Sequence, residues 1–197
     1  MNEPLGYAVG NTIEIIESIK ALKGEMAEDL KEVVLELGSY MIKLTGNGDN
    51  IQENKEKMIE NIQNGKAYNK FLEMVKNQNG DISYVENIEK FEKAQYIIPV
   101  YSEKEGYIHE INAEEIGKLA CSLGAGRVKK EDKIDKAVGI ELVKKVASHV
   151  KQGEILAYIH LNKKEILEES KRKLIEIIKI REEKIEAEKI ILGVKTS

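Results

Sequence analysis

The sequence predicts an α+β protein in two parts, a run of amphipathic helices followed by a smaller unit that mixes short strands with one capped helix. Three observations carry that prediction. As far as Asn77 the apolar residues recur at helical spacing, most clearly at Leu30, Val33, Val34, Leu37, Met41 and Leu44. From Tyr96 onward, short β-rich runs replace them at 96–101, 106–111, 137–142 and 155–160. Between those runs lies a helix with its start and stop written out. Asn112 is the cap, Glu115 is placed to reach back to the cap's amide, and Ile116, Leu119, Ala120 and Leu123 share one face. Gly124 then supplies a residue able to take positive φ just past the end.

Taken in order, residues 1–10 (MNEPLGYAVG) hold a proline and two glycines in an apolar context, the composition of a strand end or loop rather than of a free tail. Asn11 opens the first helix, with Glu14 in the reach-back position, Ile15, Ile16, Ile19 and Leu22 along it, and Gly24 after it. The second helix carries the Leu30–Leu44 stripe. Burying each such side chain stabilises by roughly 1.5–3 kcal/mol, so the stripe is expected to lie against a core. Gly46–Asp49 is a turn, and Asn50 with Glu53 repeats the cap pattern ahead of a third helix bearing Met58, Ile59 and Ile62. After Gly65 a fourth helix, Ala67 to Asn77, presents Tyr68, Phe71, Leu72 and Val75. Residues 81–94 read as a connector of low regularity. The domain boundary is placed there, giving units at 1–94 and 95–197.

In the second unit, Tyr96–Tyr101 and Gly106–Ile111 are expected to form a strand pair. The runs Ala137–Leu142 and Ile155–His160 follow the capped helix, with Gly153 available for a tight return between them. Asn162 and Glu165 repeat the cap pattern before a long Lys/Glu-rich helix through Leu167, Leu174, Ile177 and Ile178. Lys189–Val194 is a last β-like run suited to a sheet edge.

Composition narrows the function classes. The chain has 197 residues, a net charge of −4 with Lys and Glu interspersed, and no basic stripe to neutralise a phosphate backbone, which argues against a nucleic-acid partner. No run approaches the ~18 apolar residues of a membrane span, and residues 1–10 lack the basic and apolar regions of a signal peptide, so a cytoplasmic protein is expected. The single cysteine, Cys121, lies beside Ala120 on the apolar side of a helix and reads as a buried, inert thiol.

Chemistry-bearing residues are sparse. His109, His149 and His160 fall in different elements with no second ligand at i+3 or i+4. Glu14 and Glu17 share a helix face, but Glu14 already has a capping role. Gly124-Ala125-Gly126-Arg127 follows a helix, whereas phosphate loops use the amides at a helix start, so its plain reading is a C-cap. Asp135-Lys136-Ala137 resembles the modified-lysine turn of lipoyl domains. Only nine residues, Val138 to Val146, precede Ala147, too few for the further strand such a domain needs.

Four blocks together carry a resemblance. They are Pro4-Leu5-Gly6-Tyr7-Ala8-Val9-Gly10-Asn11, Leu123-Gly124-Ala125-Gly126-Arg127, Asp132 to Ile140, and Val150-Lys151-Gln152-Gly153-Glu154-Ile155-Leu156-Ala157-Tyr158-Ile159-His160. In order and spacing they resemble the C-terminal portion of the pyrimidine-nucleoside (thymidine) phosphorylase family. One departure is Ala147-Ser148, where that family usually has Gly-Asp. The resemblance implies the closing helices of a truncated central α/β domain, followed by a small hammerhead or barrel-sandwich-like α+β domain.

For the full-length parent, the resemblance implies a pentosyltransferase of nucleoside salvage that converts pyrimidine nucleoside and phosphate to free base and pentose 1-phosphate, acting as a homodimer. It implies no organic cofactor and a potassium ion held by the main-chain carbonyls of Leu5 and Ala8 and the carboxylate of Glu17, hard oxygen donors for a hard cation. The loop after Arg127 is implied to lie toward the active-site cleft and to order on closure. The family's Lys-His-Ser-Thr-Gly-Gly phosphate loop does not occur in these 197 residues, nor do its Arg, Ser and Lys base contacts, so no catalytic residue is assigned and this chain alone is expected to be inactive. The alternative, from a different class, is a non-catalytic binding or assembly module built on a lipoyl/biotinyl-like sandwich.

Overall fold

The computed structural model describes residues 3–127 and 129–195, and it is an α+β fold with two small antiparallel sheets. The chain forms two compact units. One comprises the residues up to Ile15 together with Phe91–Glu188, and the other comprises Ile16–Lys90 together with the residues from Lys189 on. The opening segment therefore groups with the β-rich unit, so the compact units do not follow a 1–94 and 95–197 division.

In the β-rich unit, β1 (Ala8–Gly10), β4 (Gly139–Leu142), β6 (Ile155–Leu161) and β2 (Tyr96–Tyr101) form one sheet in the order β1-β4-β6-β2. β5 (His149–Val150), β3 (Gly106–Ile111) and β7 (Ile178–Arg181) form the other, in the order β5-β3-β7. Every pairing is antiparallel. Helix α6 (Ala113–Ala120), extended by a π turn over Cys121–Ala125, and helix α7 (Leu167–Ile177) complete the unit. The core draws on both sheets and both helices: Val100, Ile108, Ile140 and Ile159 from the strands, Ile116, Leu119 and Leu123 from the α6 region, and Leu174 from α7. The expected apolar face of α6 is thus buried in full, and Gly124 (φ 114°) breaks the helix there.

The edge strand β1 approaches β4 closely because glycines face each other, Gly10 opposite Gly139. A Cβ on Gly139 would stand 2.6 Å from the Val9 carbonyl oxygen, and one on Gly10 would stand 2.8 Å from that of Val138.

Several expectations are corrected here. β2 and β3 have the predicted bounds but do not pair. β2 joins β6, while β3 joins β5 and β7, because the connection is pulled in by hydrogen bonds from Ser102 N to Glu154 O (2.8 Å) and from Gly153 N to Ser102 O (2.8 Å). The long trailing helix stops at Ile177, and residues 178–181 alternate buried and exposed as β7. Ile177 and Ile178 satisfy a helical period as well as a strand period, which hid the switch. Residues 189–194 form no strand. Cys121 is half-buried rather than buried. Ala147 takes φ 69°.

The helical unit contains most of α1 (Thr12–Leu22), with α2 (Glu28–Leu44), α3 (Ile51–Gln63), α4 (Lys66–Asn77) and the short α5 (Ser83–Glu86). The connector is more regular than its composition suggests, since α5 and a 3₁₀ turn at Ile88–Lys90 occupy it and Val85 is buried. Asn50 caps α3 through the amides of Gln52 (2.9 Å) and Glu53 (3.3 Å). α2 and α3 meet where Gly38 lies against Met58, and where the buried Asn54 donates to the carbonyls of Ser39 (3.2 Å) and Gly48 (2.9 Å). The α2 stripe departs from expectation. Leu35 is buried, but Leu37, Met41 and Leu44 are 55, 64 and 86% exposed.

Candidate functional site

The segment bearing Leu5 and Ala8 is moulded onto β4 and the loop after it. The Glu3 carboxylate accepts from the Val146 amide at 2.9 Å, the Lys145 ammonium donates to the Pro4 carbonyl, and the same ammonium lies 5.4 Å from the centre of the Tyr7 ring. The Tyr7 carbonyl accepts from the Leu142 amide at 2.7 Å. Strand alternation then turns the Ala8 carbonyl toward the edge of β1 away from β4. Ala8 is buried and Leu5 half-buried, both in the β-rich unit, whereas the half-buried Glu17 lies on α1 beyond Ile15, in the helical unit. Carbonyl and carboxylate oxygens of this kind suit a hard monovalent cation. Among the described residues there is no group of three or more His, Cys, Asp or Glu side chains of the sort a zinc site uses.

The predicted loop after the α6 region is closed at its root by residues that sequence reasoning read differently. The Asp135 amide donates to the Gly124 carbonyl at 2.9 Å, bringing the loop's ends together. Asn11 donates from its side chain to the Ala125 carbonyl at 2.7 Å, and Asn162 donates to the Asp135 carboxylate at 2.8 Å while accepting from the Gln95 amide at 2.6 Å. Between these clamps the loop carries Arg127, Lys129, Lys130 and Lys133, with the Asp132 carboxylate accepting from the Lys129 amide at 2.8 Å. The stretch 126–135 includes Val128, which lies outside the described residues. Asn11 stands directly before α1 as expected, its carbonyl accepting from the Ile15 amide at 3.2 Å, with its side chain turned to the loop, whereas Asn162, also expected to start a helix, caps none. Nothing local distinguishes a capping asparagine from one that reaches a distant loop.

The three histidines are not brought together. His109 donates to the Glu183 carbonyl at 2.7 Å, His149 lies 3.5 Å from the Glu105 carboxylate and packs edge-on against Tyr107, and His160 lies 3.2 Å from the Glu141 carboxylate. His160 and Glu141 are diagonal neighbours across β4 and β6, on the sheet face that also carries Ala8. Lys136 is exposed in the turn before β4. A groove of about 480 Å³ elsewhere in this unit has Leu156, Ile178 and Ile180 as its floor and Lys104, Glu176 and Arg181 on its rim. None of Leu5, Ala8, Glu17 and the three histidines lines it.

Comparison with known proteins gives this geometry a context. Residues 107–181 match the family model described as the pyrimidine nucleoside phosphorylase C-terminal domain. A pyrimidine-nucleoside phosphorylase of Bacillus subtilis (strain 168) is 47% identical over 166 residues, 84% of this chain and 38% of the relative. One from Staphylococcus epidermidis (strain ATCC 12228 / FDA PCI 1200) is 48% identical and one from Staphylococcus aureus (strain USA300) 43% identical, each over the same shares of the two chains. The chain thus spans a little over a third of the length of the curated relatives it matches, at their C-terminal end. Among the described residues no helix is long and apolar enough to cross a membrane.

Proposed function

This chain belongs with the pyrimidine-nucleoside phosphorylases as a counterpart of their C-terminal portion, and from that premise we propose that it serves the phosphorolysis of pyrimidine nucleosides together with the N-terminal portion that its relatives carry. In that reaction a phosphate oxygen bonds to the anomeric carbon as the glycosidic C–N bond breaks, and the base leaves with the bonding pair and takes up a proton. The products are free base and pentose 1-phosphate. The observation that carries the reading is the 47% identity over 166 residues, which runs well beyond the domain at 107–181.

Within this proposal the β-rich unit is the family's small hammerhead or barrel-sandwich-like domain, and the clamped, charged loop at 126–135 is the element that closes toward the reacting groups. Potassium is held by the carbonyls of Leu5 and Ala8 and by Glu17, and its role is to brace the segment ahead of α1 by hard-oxygen coordination. The parent enzyme is a cytoplasmic homodimer that uses no organic cofactor.

The chain by itself has no anion loop and no base contacts of the family's kind. Enzymes lower barriers by ~8–23 kcal/mol, chiefly through positioning and charge stabilisation. The test is release of free uracil or thymine in phosphate buffer, with and without potassium. The chain is assayed alone, then co-expressed with the N-terminal portion of the Bacillus subtilis relative. No release from the chain alone and potassium-dependent release from the pair are expected. Robust turnover by the chain alone, or none by a purified pair, overturns the reading.

A further inference from the structure

Two consecutive residues at the junction of β1 and α1 hold both ends of the loop at 126–135. Asn11 donates from its side chain to the Ala125 carbonyl at 2.7 Å on the entering side, and the Thr12 amide donates to the Lys136 carbonyl at 3.1 Å on the leaving side. Gly10, one residue earlier, pairs with Gly139 on β4. The entering side needs such partners, because the α6 region ends in a π turn over Cys121–Ala125 and the last carbonyls of a helix have no amide within it to accept from. The Asp135 amide serves the Gly124 carbonyl and the Asn11 side chain serves that of Ala125. A loop whose two ends are pinned at one place takes its position from that root.

The root is also the far end of the opening segment. At the near end of that segment Glu3 accepts from the Val146 amide and Pro4 from the Lys145 ammonium, and between the two ends Tyr7 accepts from the Leu142 amide while Ala8–Gly10 run along β4 as a strand. Ala8 precedes Asn11 by three residues, about 10 Å of extended chain. Its carbonyl is turned to the outer edge of β1, away from β4. A restraint placed on that carbonyl therefore reaches Ala125 through hydrogen-bonded strand and one side-chain bond, with no flexible link between them.

We propose that Asn11 is a positioning residue that ties the loop to the opening segment, so that a potassium ion held by the Leu5 and Ala8 carbonyls steadies the loop through β1. The ion and the closing of the loop rest on the functional reading above. Asn11→Asp isolates the tie: an aspartate keeps an oxygen acceptor and adds a favourable charge at the start of α1, but it has no N–H to give the Ala125 carbonyl. Trypsin cleavage at Arg127, Lys129, Lys130 and Lys133 is followed on the full chain in potassium chloride and in tetramethylammonium chloride, whose cation is too large for a site of carbonyl oxygens. Loss of one ordinary hydrogen bond corresponds to about fivefold in an opening equilibrium, so in potassium chloride Asn11→Asp should be cut about fivefold faster in the loop. Its melting should not fall, and Asn11→Ala, which brings no charge, should free the loop to a similar extent. Potassium should slow loop cleavage in the unaltered chain and lose that effect in Asn11→Asp. Loop cleavage unchanged in either variant, an equal acceleration in the connector at 81–94, or a potassium effect that is missing from the unaltered chain or the same in Asn11→Asp would each overturn the proposal. Base release separates the two readings. A co-expressed pair that releases no base, with the cleavage rates as expected, leaves the tie standing and removes the function. Potassium-dependent base release by the pair, with loop cleavage unchanged in Asn11→Asp, does the reverse.

Discussion

Ala147 sits at a backbone position that suits glycine. Its φ of 69° brings Cβ into the contact that makes left-handed conformations cost about 1–2 kcal/mol for residues other than glycine. Hydrogen bonds hold it there, from its amide to the Ile108 carbonyl (2.8 Å) and from the Ser148 amide to that of Lys145 (3.1 Å). Glycine relieves the contact but loses more chain entropy on folding, so Ala147→Gly is expected to stabilise by a net ~0.5–1 kcal/mol. A raised urea midpoint at unchanged slope would show it, and a lowered midpoint would mean the turn is not strained. A second residue gives a pH signature. The Glu154 carboxyl is held below its ordinary value near 4.5, first by its hydrogen bond to Lys144 and then by the Lys151 amide. A depressed folded value makes the contribution complete above about pH 4.5 and removes it as pH falls through that lower value. The stability gap between the unaltered chain and Glu154→Gln should therefore be present at neutral pH and shrink under acid. A gap that stays constant down to about pH 3 would remove Glu154 from the acid response.

At the scale of elements, four Asn-x-x-Glu patterns, at Asn11, Asn50, Asn112 and Asn162, read alike in the sequence and separate in the structure. Asn50 and Asn112 cap α3 and α6, the latter through the Glu115 amide at 3.1 Å. Asn11 also stands directly before its helix, α1, but donates its side-chain amide to Ala125, and Asn162 donates to Asp135, at the other end of the same loop. Glu14 reaches back to the Gly10 amide at 2.9 Å, one residue before the expected partner. Helix existence, the buried face of α6 and the bounds of β2 and β3 were legible because each depends on periodicity within one segment. The pairing of strands, the switch from α7 to β7 and the loop clamp were not, because each depends on which distant backbone group a residue meets. The two classes of asparagine should respond differently. Asn112→Ala should cost about 1 kcal/mol through α6 and leave trypsin cleavage at Arg127–Lys133 unchanged. Asn162→Ala should speed that cleavage, and equal rates in the two variants would mean Asn162 does not hold the loop.

For the whole molecule, the connection between the units is the place where chain continuity and structural continuity part. The large core cluster has no member between Ile16 and Lys90, and its members run from Val9 and Tyr96 to Ile180. The connector at 81–94 offers Glu92 and Lys93 to solvent between the buried Val85 and Ala94. Limited proteolysis should cut there first, between Gly80 and Ala94, whereas preferred cleavage inside 137–160 would count against two units. Of the chain's other two crossings between units, the one at Glu188–Lys189 lies near the end of the chain and the one at Ile15–Ile16 falls inside α1, where hydrogen-bonded backbone resists a protease. A single cut in the connector therefore leaves an N-terminal piece whose first fifteen residues still belong to the β-rich unit. That piece is retained by the β1–β4 ladder, the Lys145 contacts with Pro4 and Tyr7, and the Asn11 bond to Ala125. The nicked protein should consequently elute as one species under native conditions and separate into two only in denaturant. Gly139→Val sharpens the test, because a side chain at that position would press on the Val9 carbonyl and the Gly10 backbone across the ladder. In that variant the two pieces should part after the same cut without denaturant. Spontaneous separation of the nicked, otherwise unaltered chain would show that the opening segment is not an integral strand of the β-rich unit.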